Sequence, residues 1–150
     1  MRHFAHLRDL EAEVGNEIAV SDWVTVEQDR IDRFAEATGD HQWIHVDRER
    51  AAAGPFGATV AHGFLTLSLL PLLTQNAFAI DDTKMGINYG LDRVRFPNPV
   101  RAGDRLRGRC KLLAYQPIEG GAQLTVEVTM EIEGAAKPAC VAQSVSRRFT

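Results

Sequence analysis

Leu106, Gly108, Cys110 and Leu112 alternate with Arg107, Arg109 and Lys111, and Leu124, Val126, Val128, Met130 and Ile132 alternate with Thr125, Glu127, Thr129, Glu131 and Glu133. A period of two, apolar on one side and polar on the other, marks antiparallel strands with one buried face. The second half of the chain therefore predicts strands over 106–115, 123–133 and 138–149. Turns are expected at Gly120-Gly121 and Gly134-Ala135-Ala136. Another strand is expected over 86–95, ending before Pro97-Asn98-Pro99, and an early one over 22–26.

The first half follows the helical period. Thr25 and Gln28 have capping-box spacing, and Ile31, Phe34, Ala35 and Thr38 then fall on one helix face, with Gly39 placed to end it. Asp47 is positioned to cap a short helix running to Ala53 and stopped by Gly54-Pro55. From His62 to Ala79 the chain is apolar on every side, which predicts one long helix wrapped by protein and kinked by Pro71. The expected class is α+β: a long central helix wrapped by an antiparallel sheet.

Composition narrows the function classes. A chain of 150 residues forms one domain, 1–150, with enough surface to bury for a core of its own. Hydrophobic residues make up 45% and charged residues 25%, which excludes a disordered or collagen-like chain. The formal net charge of −3 argues against a nucleic-acid partner. Thr66, Ser68, Pro71, Thr74, Gln75 and Asn76 interrupt the most apolar segment, so no membrane span is expected. Cys110 and Cys140 form no CxxC, and MRHFAHLRDLEAEVG lacks the apolar run of a signal peptide, so a cytoplasmic protein with reduced thiols is expected.

Candidate chemistry gathers in GDHQWIHVD, residues 39–47, and in Ala61-His62-Gly63. The first stretch reads as an irregular loop. Asp40 and His45 suit a carboxylate and imidazole sharing one water in acid–base work; they equally suit a local backbone cap and a packed ring. His62-Gly63 opens the buried helix, whose first N–H groups have no intrahelical acceptor, an arrangement that fits an oxyanion or an ordinary helix start. His41 and His45 have a helical metal-pair spacing with no third ligand. Arg107, Arg109 and Lys111 form a basic strand face, either solvated or set for phosphate. There is no G-x-S-x-G, Walker or G-x-G-x-x-G loop.

FAEATGDHQWIHVD, then GPFGATVAHGFLTLSLLP, then RVRFPNPVRAGDRL together resemble the MaoC-like (R)-specific enoyl-CoA hydratases, and GDHQWIHVD with GINYGL is similar to their short single-domain branch related to nodulation protein N. The resemblance implies a hot-dog fold and a homodimer. It also implies reversible addition of water across a trans-2-enoyl thioester, giving an (R)-3-hydroxyacyl-CoA. Residue by residue, Asp40 and His45 match the family's catalytic pair and Gly63 its oxyanion position. Val60, Ala61 and His62 are implied to contact substrate. So are Gly86, Ile87, Asn88 and Tyr89 from GINYG, while Pro97, Asn98 and Pro99 are implied to shape the channel mouth; ordinary strand-end packing is the alternative for these positions. No metal or redox cofactor is implied, and CoA serves only as substrate carrier. Gln42-Trp43 departs from the Asn-Pro of many relatives, and Pro71 stands where some carry serine. Thioester hydrolysis, a non-catalytic acyl-thioester binder and a metal protein built on His41 and His45 are the competing readings.

Overall fold

The computed structural model describes residues 1–150. Strand β1 (Arg2–Phe4) precedes a 3₁₀ segment (Leu7–Glu13), strands β2 (Glu17–Val20) and β3 (Val24–Thr25), and helices α1 (Gln28–Thr38), α2 (Trp43–Val46) and α3 (Arg48–Ala52). Helices α4 (Gly63–Ser68) and α5 (Leu70–Ala77) follow, then β4 (Phe78–Ile80). The long strands β5 (Met85–Arg95), β6 (Arg105–Ile118), β7 (Gly121–Ile132) and β8 (Cys140–Phe149) complete the chain.

The main sheet runs in the order β2-β6-β7-β8-β5, each pair antiparallel, and β3 pairs with β6 beyond the end of β2. The alternation on β7 is complete: Ala122, Leu124, Val126, Val128, Met130 and Ile132 are all buried, and the residues between them are half-buried. That inner face packs against α4 and α5 through two adjoining clusters. Leu70, Leu73 and Ala77 join Leu112, Leu124, Val128 and Met130 in one, while Leu65 and Leu69 join Val26, Ile31, Leu106 and Ile132 in the other. Gly108 permits the closest approach, since a Cβ there would stand 3.2 Å from the Cβ of Leu73. This is the expected α+β architecture, a hot-dog arrangement of helix against curved sheet.

Several local expectations change. The central helix is two helices. Pro71 has no N–H to give to the carbonyl one turn back, and the turn before it closes instead through Leu69, whose N–H reaches Leu65 O, Thr66 O and Leu67 O. The helical path ends at Ala77 rather than Ala79, because residues 78–80 become extended and pair in parallel with β1. The helix is not wrapped on every side within one chain: Phe64 is 71% exposed.

Thr25 and Gln28 form no capping box. Thr25 is held in β3 opposite Arg105, and Glu27 takes the N-cap of α1 without a side-chain bond. Gly39 ends α1 at φ +78° with its N–H on Ala35 O, as its position in the sequence predicts. Asp47 caps α3 by accepting the N–H of Arg50 at 3.0 Å. The early strand divides into β2 and β3. Two residues of the basic face of β6 are neutralised, Arg107 by Glu131 on β7 and Arg109 by Glu17 on β2, and Arg105 pairs with Glu133 just past β7; Lys111 is exposed and forms no ion pair. Such half-exposed pairs contribute about 0–1 kcal/mol each. No helix is long and apolar enough to cross a membrane.

Leu73 is fully buried at the closest helix–sheet contact, so Leu73→Ala is expected to cost about 2–5 kcal/mol. Urea unfolding followed by circular dichroism checks this as a lowered midpoint with unchanged slope.

Candidate active site

Two backbone segments meet at the start of α4. One runs from Gly39 through α2, the other from Thr59 to Gly63, and backbone bonds tie them together: Val60 N–H donates to Ile44 O at 3.0 Å. Behind them, Ala61 N–H donates to Val100 O at 2.7 Å, so the segment after Pro97-Asn98-Pro99 buttresses the same corner. The stretch expected to be irregular contains a helical turn, α2, and His45 lies in it, 6% exposed.

His45 Nδ1 lies 2.6 Å from Val60 O. A carbonyl only accepts, so Nδ1 carries the proton and Nε2 keeps its lone pair for chemistry. His62 is held in the same manner, its Nε2–H donating to Asp40 O at 2.9 Å. The two imidazoles stack with centroids 3.7 Å apart and planes 22° from parallel, and Phe34 closes the other side of His62 at 4.9 Å. His62 Nδ1 is buried without a hydrogen-bond partner. The exposed Asp40 carboxylate accepts Gln42 N–H at 3.3 Å in an Asx turn. Asp40, His45 and His62 each bring a side-chain oxygen or nitrogen within 4.8 Å of the others.

Burial is the largest influence on His45 and lowers its pKa. The hydrogen bond to Val60 raises it, the neighbouring His62 lowers it and the Asp40 charge raises it, leaving a net decrease. His45 is therefore neutral at pH 7, the state a general base requires.

The trio makes a poor metal centre. An imidazole binds a metal in its own ring plane, at about 2.0–2.1 Å for zinc, and two near-parallel planes stacked this closely cannot both aim at one ion. His41 stands apart from the trio, its Nε2 3.7 Å from Glu36.

Gly63 is the first residue of α4, where backbone N–H groups have no intrahelical acceptor. A Cβ at this position would lie 3.2 Å from the Phe96 ring, so glycine lets that half-exposed ring stand over the helix start. Of the GINYG residues, Asn88 and Tyr89 line a cavity along α4 and α5 with Leu67, Ser68 and Pro71, and Gly86 and Asn88 line a second one beneath α5; Ile87 is exposed. Asn98 is bonded to Lys137 O at 3.4 Å, and Pro97 and Pro99 are exposed.

Gln28 was assigned no chemistry from sequence, yet it braces the site. Its Nε2 donates to His45 O at 2.8 Å and to Asp32 at 2.7 Å, and its Oε1 accepts the Thr59 hydroxyl. No local pattern marks this role, because the two partners in the site, His45 O and Thr59, lie 17 and 31 residues away. Gln42-Trp43 keeps the helical turn that carries His45: Gln42 is the N-cap of α2, and the Trp43 ring packs against Gly54 with the Arg50 guanidinium 4.3 Å from its centre.

Comparison with known proteins bears on the same segments. Residues 9–135 match the MaoC like domain. The chain is 53% identical over 148 residues to 3-hydroxyacyl-thioester dehydratase Z of Mycobacterium tuberculosis, covering 98% of each chain. It is 49% identical over 148 residues to nodulation protein N of Rhizobium leguminosarum bv. viciae, covering 96% of this chain and 91% of that one. R-hydratase PhaJ1 from Pseudomonas aeruginosa shares the fold at a TM-score of 0.73 with 21% identity, over 97% of this chain and 86% of that one. With the domain match spanning most of its length and such relatives matching nearly end to end, the chain belongs to the MaoC-like dehydratase family.

Proposed function

We propose that this protein catalyses the (R)-specific, reversible hydration of trans-2-enoyl-CoA to (R)-3-hydroxyacyl-CoA. The observation that carries this reading is the corner where Asp40, His45 with its unprotonated Nε2, and His62 converge immediately before the first N–H groups of α4. The relatives named as a 3-hydroxyacyl-thioester dehydratase and an R-hydratase support it. Water bridges the Asp40 carboxylate and His45 Nε2. As its oxygen bonds to Cβ, His45 takes one proton, and negative charge moves through Cα to the thioester oxygen. Gly63 N–H faces that oxygen, an interaction worth about 2.7–4 kcal/mol in oxyanion holes. The proton then passes to Cα on the same face, with Asp40 positioning and relaying it, which completes the addition of H and OH. The chemistry calls for no metal or redox cofactor; CoA is the carrier.

The reading includes a homodimer. β5 is an open edge strand of 11 residues, and Met85, Ile87, Tyr89 and Leu91 on it are all exposed, with Phe64 and Phe96 nearby. A long apolar edge is a template for pairing with another chain, and a two-fold axis lets β5 pair with its own copy. The site is a reduced, cytoplasmic one in this reading. Cys110 and Cys140 are buried, unpaired thiols, and burial pushes them up to about 12 and about 11 respectively.

With crotonyl-CoA, loss of enoyl absorbance should be enzyme-dependent and yield product oxidised only by an (R)-specific 3-hydroxyacyl dehydrogenase. Asp40→Asn and His45→Gln are each expected to lower the rate by about 10²–10⁴-fold with unchanged circular dichroism. Near-normal activity in either variant removes that residue from the mechanism, and free thiol released without hydration replaces the reading with hydrolysis.

Because His45 titrates below the usual imidazole value of about 6.5, activity should hold through neutrality and fall on an acid limb lying below that value. Stability should decline over the same range, since the unfolded chain binds the proton first as pH falls. Imidazole ¹⁵N shifts should place the His45 midpoint lower still in Asp40→Asn, where the favourable charge is lost, and higher in His62→Phe. Light scattering is expected to give twice the chain mass, and a proline at Tyr89 to shift the protein toward monomer.

A further inference from the structure

Three buried side-chain atoms in the whole chain lack a hydrogen-bond partner. One is His62 Nδ1 in the site above; the other two, Thr83 Oγ1 and Arg148 Nε, belong to residues that line one cavity at the far end of α5. Arg148 lies on β8 opposite Gly86 of β5, and with Ser144 and Ser146 it lines the space beneath α5, so the charge faces the helix layer. Its guanidinium forms no ion pair and no hydrogen bond within the chain, although the side chain is half-buried and desolvation lowers its pKa. By contrast, Arg105, Arg107 and Arg109 on the outer face all have glutamate partners.

The surroundings have the character of an anion site. Lys84 lines the same cavity, of about 280 Å³, and an adjoining one of about 110 Å³ shares Thr74, Gln75 and Arg148. No carboxylate lines either. The nearby Asp81 and Asp82 are engaged elsewhere, Asp81 by His3 at 3.0 Å and Asp82 by His6 and the Leu7 N–H. Gly86 makes room for the guanidinium: a Cβ there would stand 2.3 Å from an Arg148 Nη atom. The buried, unpartnered Nε–H of Arg148 is costly to leave without an acceptor, and a planar carboxylate or tetrahedral phosphate suits the guanidinium's fork of donors.

We infer that Arg148, Thr83 and Lys84 form an oxyanion-binding site, for a carboxylate or a phosphate, at the end of α5 remote from Gly63. Arg148 supplies paired N–H donors, Thr83 a hydroxyl donor and Lys84 the second positive charge. Two sources of the anion follow from the acyl-thioester reading, and only this choice rests on it: a carboxylate ending the acyl chain, or a phosphate of the carrier.

The test begins with inorganic phosphate against sodium chloride of equal ionic strength, read as thermal stability of the full chain. Phosphate should raise Tm beyond chloride in the natural protein and not in Arg148→Met. Gly86→Ala, which displaces the guanidinium while keeping its charge, should also lose the effect and serves if Arg148→Met does not fold. Calorimetric titration with CoA, glutaryl-CoA and pentanoyl-CoA then identifies the source. A loss of about tenfold or more in Arg148→Met for CoA itself assigns the carrier phosphate. The same loss for glutaryl-CoA alone assigns an acyl carboxylate. Equal responses to phosphate and chloride, with all three affinities unchanged in the variant, overturn the site. So does a variant that changes only the oligomeric state, since Arg148 would then be answering a protein group. Absence of crotonyl-CoA turnover would sink the hydratase reading while leaving the phosphate result intact.

Discussion

The apolar stripe of α4 and α5 pressed against the inner face of β6, β7 and β8 fixes where α4 begins, and the site is laid out from that point. Leu65, Leu69, Leu70 and Leu73 are buried, and the clusters they enter reach from the 3₁₀ segment at one end to Ile31 and Val100 at the other. A close-packed interior of this kind leaves a helix little freedom to slide. The N–H groups of Gly63 and its successors are therefore held in place, and the segments around Asp40 and Val60 are built up to them. Pro71 adjusts the path without breaking the contact, because the residues on either side of it stay on the buried stripe.

Around that fixed point the chemistry is set by where protons are forced to sit. Two carbonyls, Val60 O and Asp40 O, each accept a hydrogen bond from one imidazole N–H, and this orients both rings with one lone pair to spare. Burial and the second histidine keep His45 uncharged, while the Asp40 carboxylate stays in contact with solvent. Gln28 holds the His45 carbonyl and Thr59 together and thereby joins α1 to both walls of the corner. The same stacking that orients the two rings keeps their planes from converging on one ion.

Charge is handled differently on the two faces of the sheet. Outside, Arg105, Arg107 and Arg109 are neutralised by glutamates across the sheet, and Arg147 is held by Gln123 and the Tyr89 ring. Inside, at the end of α5, Arg148 has been given space and no partner, and β5 beside it leaves its apolar residues uncovered. Both are unfinished surfaces in a chain whose core is otherwise complete, and unfinished surfaces are where a ligand or a second copy is accommodated.

The sequence by itself determined the class of structure and the candidates for the reacting groups. Period-two alternation on β6 and β7 and the continuous apolar run after His62 are strong local signals, because they reflect which face of each element is buried. Gly39 and Asp47 carry their conformational meaning in their own chemistry, so the ends of α1 and α3 were legible. Asp40, His45 and Gly63 were legible as candidates through the spacing of their motifs. Tertiary structure decided what depends on distant partners. Thr25 became strand instead of cap because β6 lies beside it, residues 78–80 left the helix because β1 offered a ladder, and Gln28 became a brace because residues 17 and 31 positions away converge on it. The tautomer of His45 and the isolation of Arg148 belong to the same category: a hydrogen bond or its absence is a relation between groups, and a linear pattern records only one of them.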